Sequence, residues 1–340
     1  MTTGPLGRDH PLALLRSRVR HALDSHGGLV LITGEAGIGK TTLVSEAVGE
    51  ARRQGAPVLA GACWESDNAP GHWPWVQVLR GLRRAAGPGR WAEALEAAGP
   101  GPELLLDGTG GAGGSTGGPP MDGFALHDSV TTALVTVSRH HPLVVVLEDL
   151  HRADPDSLRL LEFAARHTWF ERVLLIGTYR DVEAELPDHP LRPLLTALPA
   201  AAGTTITLGG LEPADTGALI TRVHGRTPAP GVVAEVHRRT GGNPFFIEET
   251  ARLWGAGAPS GAIAPGVREA IRRRLDLLPP EVTELLGRAA VVGREFRPAL
   301  LAAICDRTPG EVERLLDRAG AARLITTGAD PTEAPPPPGT

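Results

Sequence analysis

Apolar residues along the chain follow two rhythms, and the point where one replaces the other divides the molecule. Over roughly the first two hundred residues, short uninterrupted apolar runs alternate with segments whose apolar positions recur every three to four residues. Residues 10 to 26 place Leu12, Leu15, Val19 and Leu23 on one helical face, arginines on the other, and stop at Gly27-Gly28. The run LVLI within 28 to 33 predicts a strand buried on both faces. After Lys40, TTLVSEAVGEARRQ returns to helical spacing, with Leu43, Val44, Ala47 and Val48 on one side. A second strand follows Pro57, and a helix opens near Trp73 and Trp75, which are expected to anchor it in the core. Residues 124 to 140 form another helix that Pro142 ends. LVVVLED, RVLLIGTYR and TTITL supply three further strands, and Asp154 with Pro155 makes an N-cap and first turn for the helix between the first two of them.

From about Leu211 the strands stop. Helical patterns cover 213 to 224, 230 to 239 and 244 to 254, with a sharp turn at Gly241 to Pro244. Beyond a Gly/Ala/Pro linker at 255 to 265, four more appear at 267 to 278, 280 to 291, 298 to 305 and 309 to 319, short enough to suggest a winged-helix core. The expectation is an α/β domain over 1 to 210, a small helical domain over 211 to 258, a winged-helix-like domain over 259 to 327 and a disordered Pro-rich tail over 328 to 340. Residues 107 to 123 carry too little apolar surface to offset their ordering entropy and are expected to form a flexible Gly-rich loop.

Composition narrows the partners. With 41% hydrophobic residues, a net charge of −5 and a pI near 6.2, the chain reads as a cytoplasmic globular protein without a general basic field for nucleic acid or membrane. Cys63 and Cys305 are two thiols far apart in sequence, which speaks against a disulfide framework or a thiolate metal site. The N-terminus has no signal-peptide core, and no apolar run is long enough to span a bilayer.

Of the 34 Lys plus Arg residues only one is a lysine, Lys40, and it sits in GEAGIGKT. Gly34, Glu35, Ala36, Gly37, Ile38, Gly39, Lys40 and Thr41 match the phosphate-binding loop, placed between a strand and a helix as its chemistry requires. Glycines let backbone N–H groups turn toward phosphate oxygens, and the following helix points its positive end at them. Lys40 would then reach the β- and γ-phosphates and the Thr41 hydroxyl would ligate Mg²⁺. Glu148 and Asp149 end an apolar strand, where ligands of open α/β sheets bind, and could hold Mg²⁺ or activate water. Arg180 ends the next strand and could report a γ-phosphate through a charge-assisted bond.

Six stretches carry a resemblance: GRD at 7 to 9, GEAGIGKT, CWESDNAPGHWPWVQVLR, LEDLHRADPDSL, LLIGTYRD and RTGGNPFFIEE. Together they resemble the ATPase region of the large ATP-binding LuxR-type transcriptional regulators of bacteria, AAA-like P-loop proteins within the signal-transduction ATPases with numerous domains (STAND). The resemblance runs from about residue 5 to 325. It implies a P-loop NTPase with a five-stranded parallel sheet in the order 5-1-4-3-2, a helical domain, a winged-helix domain and ATP or ADP at their junction. By the same resemblance the loop glycines with Lys40, Thr41 and Thr42 wrap the phosphates, and Glu148 and Asp149 serve Mg²⁺ and water. Arg180 senses the γ-phosphate, Pro244 packs near the adenine, and Gly7 and Arg8 line its other side. Two departures stand out: the family's usual pair of aspartates is Glu148-Asp149 here, and its LHWAD reads LHRAD. The family also continues into helical repeats and a C-terminal helix-turn-helix, so this chain reads either as a free-standing ATPase module or as a truncated member.

The sequence therefore predicts a Mg-dependent, slow ATPase acting as a switch, with a protein partner or self-association. Direct DNA binding through residues 267 to 325 is the first rival, disfavoured because acids there match the basic residues. A P-loop phosphotransferase is the second, disfavoured by the tandem acids.

Overall fold

In the computed structural model of the chain, the described residues are 4–64, 70–108, 121–184, 189–197, 203–255, 268, 271–272, 275–276, 278–293, 296–322 and 324–325. The expected Gly-rich loop, apart from its ends, the linker at 255 to 265 beyond Gly255, and the Pro-rich tail lie outside them, as does most of the helix expected at 267 to 278. The chain forms two compact units, Met1–Gly257 and Ala258–Thr340.

Five parallel strands make one sheet: β1 (Gly28–Thr33), β2 (Val58–Ala62), β3 (Leu143–Glu148), β4 (Val173–Tyr179) and β5 (Gly203–Thr207). Their order is β2-β3-β4-β1-β5, which read from the β5 edge is 5-1-4-3-2. Register puts Thr33 beside Tyr179, Leu147 beside Gly177 and Ala62 beside Glu148. The ends of β1, β4 and β3 thus lie side by side, with β4 in the middle.

The three central strands β1, β3 and β4 are buried almost throughout because both of their faces are covered, and the two-residue alternation sorts their side chains. Val30, Ile32, Val144, Val146, Leu174 and Ile176 face a core shared with α1 (Asp9–Leu23) and α2 (Lys40–Arg53), into which Leu12, Leu15, Val19, Leu43 and Ala47 project. Leu29, Leu31, Val145, Leu147, Val173 and Leu175 face the opposite core, packed by α3 (Trp73–Ala98), α4 (Gly101–Leu106), α5 (Gly123–Ser138) and α6 (Pro155–His167). Each fully buried leucine in these layers contributes about 1.5–3 kcal/mol of transfer free energy. Trp75 is completely buried and donates its indole N–H to the Ser157 carbonyl at 3.0 Å, so this tryptophan is the core anchor expected. The helix that starts at Trp73 runs to Ala98, with a break at Gly87-Pro88. Asp154 caps α6 by accepting from the Ser157 N–H at 2.9 Å, as its sequence position predicted.

Two short helices, α7 (Asp181–Ala184) and α8 (Arg192–Ala197), follow β4 and were not anticipated. After β5, α9 (Pro213–His224), α10 (Pro230–Thr240) and α11 (Pro244–Gly255) enclose Leu219, Ile220, Val236, Ile247 and Ala251 in a small separate core. The second unit contains α12 (Pro280–Val292), α13 (Pro298–Cys305) and α14 (Pro309–Ala321) around Val282, Leu285, Leu301, Val312 and Leu315. Thr308 and Glu311 form a capping box at the start of α14. Helices are the regular elements among the described residues of this unit; a winged-helix domain would need strands in addition. Among the described residues no helix is long and apolar enough to cross a membrane.

Candidate functional site

β1 delivers the chain into the loop Gly34 to Gly39, and α2 starts at Lys40. Gly37 has φ 77°, and a Cβ there would lie 2.6 Å from the Phe245 Cβ, so both backbone conformation and space require glycine. The loop is held through its carbonyl groups. Arg8 donates to Ile38 O at 2.9 Å and to Gly209 O at 2.8 Å, Asn243 Nδ2 donates to Ala36 O at 3.0 Å, and the Phe245 N–H donates to Gly37 O at 3.3 Å. Asn243 is buried, and its Oδ1 accepts from the Phe245 N–H at 3.2 Å. Spending the carbonyls in this way leaves amide groups of the loop and of the first turn of α2 as the polar groups suited to an anion.

Lys40 Nζ donates to Gly34 O at 2.7 Å and to Glu35 O at 2.9 Å, and the residue is only 8% exposed. Burial pushes its ammonium down to about 8; the Arg180 charge acts in the same direction, and Asp149, Asp181 and Glu183 act against both. A buried cation bonded only to neutral carbonyls gains most from an arriving phosphate.

Neighbouring strand ends carry the remaining charges. Asp149 follows β3 in a left-handed conformation with φ 58°, which aspartate tolerates, and its N–H donates to Thr178 Oγ1 at 3.1 Å. Leu150 then turns down onto β4, where Gly177 leaves room: a Cβ at 177 would be 2.5 Å from Leu150 Cδ1 and 2.9 Å from Leu31 Cδ2. The Glu148 carboxyl is raised above its ordinary value by burial and by Asp149. Arg180 emerges from β4 between loop and acids, and its Nη1 donates to Glu183 Oε1 at 2.8 Å. Glu183 Oε2 lies 2.8 Å from His151 Nε2, whose ring has 2% of its surface exposed and whose Nδ1 is 3.9 Å from Asp149 Oδ1. Burial alone would raise the Glu183 carboxyl, but His151 and Arg180 outweigh it and hold the group down at about 2.

The structure thus gathers Gly34 to Thr41, Asp149 and Arg180 at one end of the sheet, with Glu148 one residue before Asp149 at the end of β3. Gly7 and Arg8 also reach this end, but Arg8 is buried against loop backbone, with burial lowering its proton affinity and Asp215 partly restoring it. Pro244 opens α11 beside Asn243 and Phe245, the residues that touch the loop. Sequence reasoning missed His151 and Glu183, and took Asn243 only as a turn residue. The spacing of Glu183 three residues after Arg180 was the one visible signal for the ion pair.

Thr41, Glu148 and Asp149 remain the candidate donors for Mg²⁺. Among the described residues there is no group of three His, Cys, Asp or Glu side chains suited to a metal ion. That donor set suits Mg²⁺ held by one or two carboxylates together with phosphate and water, and does not suit an all-protein metal cage.

A family model described as an AAA ATPase domain matches residues 5 to 176. An uncharacterized protein of Rhizobium meliloti (strain 1021) is 30% identical over 263 residues, which is 72% of this chain and 25% of that protein. Among solved structures, the Walker-type ATPase of Pyrococcus abyssi is similar with a TM-score of 0.50 at 13% identity, over 94% of this chain and 90% of that one. A STAND protein with a tetratricopeptide repeat sensor from Pyrococcus horikoshii gives a TM-score of 0.47 at 17% identity, over 94% of this chain and 40% of that one. The chain therefore spans about a quarter of the length of its Rhizobium relative. With the family model covering about half of its residues, from 5 to 176, this chain belongs to the AAA ATPase domain family.

Proposed function

We propose that the chain binds ATP with Mg²⁺ at the loop Gly34 to Thr42, hydrolyses it slowly, and serves as the nucleotide-dependent regulatory module of a LuxR-type transcriptional regulator. The observation that carries the reading is Lys40: a nearly buried ammonium held by two loop carbonyls, with Arg180 and Asp149 within electrostatic reach on the adjoining strand ends. The loop amides and Lys40 bind the phosphates, and Arg180 contacts the γ-phosphate. Thr41 and Asp149, the member of the tandem acids whose charge reaches Lys40, would hold Mg²⁺, which neutralises charge on the β- and γ-oxygens when bound. Glu148, whose carboxyl is raised by burial, takes the proton from the attacking water.

The contacts from Asn243 and Phe245 to Ala36 and Gly37 support a role for the helical segment after Leu211 as receiver of the nucleotide signal. A ligand shifts such a coupled element only through unequal affinity for its arrangements, and ATP and ADP differ by the group that Arg180 would read. The second unit is the candidate winged-helix-like domain. Titration of Lys40→Ala with Mg-ATP tests the site: binding should weaken at least about a hundredfold, the range lost with a charge-assisted phosphate contact in a buried site. Parent-like affinity would remove Lys40 from the site and the reading with it.

A further inference from the structure

Arg180 is already occupied. Its Nη1 donates to Glu183 Oε1 at 2.8 Å, and the two side chains keep 24% and 19% of their surfaces exposed. The other oxygen of Glu183, Oε2, lies within ion-pair distance of His151 Nε2 at 2.8 Å. The His151 ring is held in place by burial, with 2% of its side-chain surface exposed, and its backbone carbonyl lies 2.9 Å from His189 Nε2. Glu183 is therefore a fixed carboxylate, and its charge reaches Lys40 as well as Arg180.

A guanidinium recognises carboxylate and phosphate oxygens by the same forked N–H geometry. We propose that Glu183 is a positioning residue that competes with an incoming γ-phosphate for Arg180, and so sets how strongly the site prefers a nucleoside triphosphate to a diphosphate. The proposal rests on the reading of Arg180 as the γ-phosphate contact. A diphosphate has no group to exchange for Glu183 and leaves the Arg180–Glu183 pair in place. A triphosphate must displace that pair to reach Arg180. Discrimination then depends on the difference between two salt links to one arginine, which is smaller than the full strength of the γ-phosphate link.

The test compares parent, Glu183→Gln, Arg180→Ala, the double variant and Lys40→Ala as full chains, titrated calorimetrically with Mg-ADP and with the Mg complex of β,γ-methylene ATP. Glu183→Gln should raise the preference for the triphosphate about tenfold, the effect of one charge-assisted bond in a partly buried site, with ADP affinity changed less than about twofold. In the Arg180→Ala background the same substitution should leave the preference unchanged. His151→Gln, which loosens Glu183 without removing it, should move the preference the same way by a smaller factor, and it supplies the measurement if Glu183→Gln does not fold. The proposal is overturned by equal changes for both nucleotides, by a fall in triphosphate preference, or by persistence of the effect without Arg180. Loss of both nucleotides in Lys40→Ala alongside any of these results leaves the phosphate site standing and removes only the role of Glu183. Parent-like binding in Lys40→Ala removes the site itself.

Discussion

The phosphate loop and the acid cluster lie at the same end of the sheet but are built differently. Around the loop, Arg8, Asn243 and Lys40 each spend their side-chain donors on backbone carbonyls of residues 34 to 38 or of Gly209. In the cluster, Arg180, Glu183 and His151 meet side chain to side chain. Backbone contacts fix the loop's shape whatever its side chains are, which suits a region that must present amides to any phosphate. Side-chain contacts depend on the charge state and identity of each partner, which suits a region that responds to what is bound. On the proposed reading, the difference separates binding from response.

The sharpest way to break that division is through the tandem acids. Glu148→Gln and Asp149→Asn should each slow phosphate release about a hundredfold or more, and Glu148→Gln should leave Mg-ATP affinity within about threefold, since proton transfer contributes to rate more than to binding. Comparable losses of affinity and rate in Glu148→Gln would remove its role as base. Next comes Gly37→Ala, which places a Cβ against Phe245 and forces a left-handed backbone, at a cost of about 2 kcal/mol. Equilibrium binding should weaken about thirtyfold while turnover at saturating ATP changes little; an equal fall in turnover would mean that loop shape and response are one property. Asn243→Ala should cost about 1 kcal/mol by losing the bond to Ala36 O, read as a small drop in thermal midpoint and an about fivefold weaker nucleotide affinity.

A separate effect concerns acid stability. The folded Glu183 carboxyl is lowered from 4.5 to about 2, so it stabilises the fold fully above 4.5 and loses that contribution as pH falls through about 2. Melting temperatures of parent and Glu183→Gln should therefore differ at neutral pH and converge as the pH is lowered from 4.5 toward 2. A constant offset across that range would show that the charge of Glu183 contributes nothing.

These two modes of construction also explain what could be read in advance. GEAGIGKT is contiguous, so residue types and spacing specify loop, helix start and lysine together. The central strands were visible as apolar runs because both faces of the sheet are covered there, and Asp154 announced its own cap. Asn243 bonds a residue 207 positions away, and the meeting of His151 with Glu183 depends on β3 and β4 being neighbours in register. Neither contact leaves a periodic or local mark. The short helices α4, α7 and α8 escaped for a simpler reason: one or two turns give no rhythm to detect. The break at Gly87-Pro88 concealed the length of α3 in the same way.

Gly177 shows how a missing atom can govern chemistry one strand away. The socket it leaves in β4 receives Leu150, and Leu150 fixes the course of the chain immediately after Asp149. A single methyl group at 177 would collide with Leu150 and Leu31, both buried, and the least disruptive relief is to lift the segment that carries the acid. Conservative substitution tables would rate glycine to alanine inside a strand as nearly silent. Here it would act as a mutation of the candidate site made from within the apolar layer, and a survey confined to charged and polar positions would pass over it.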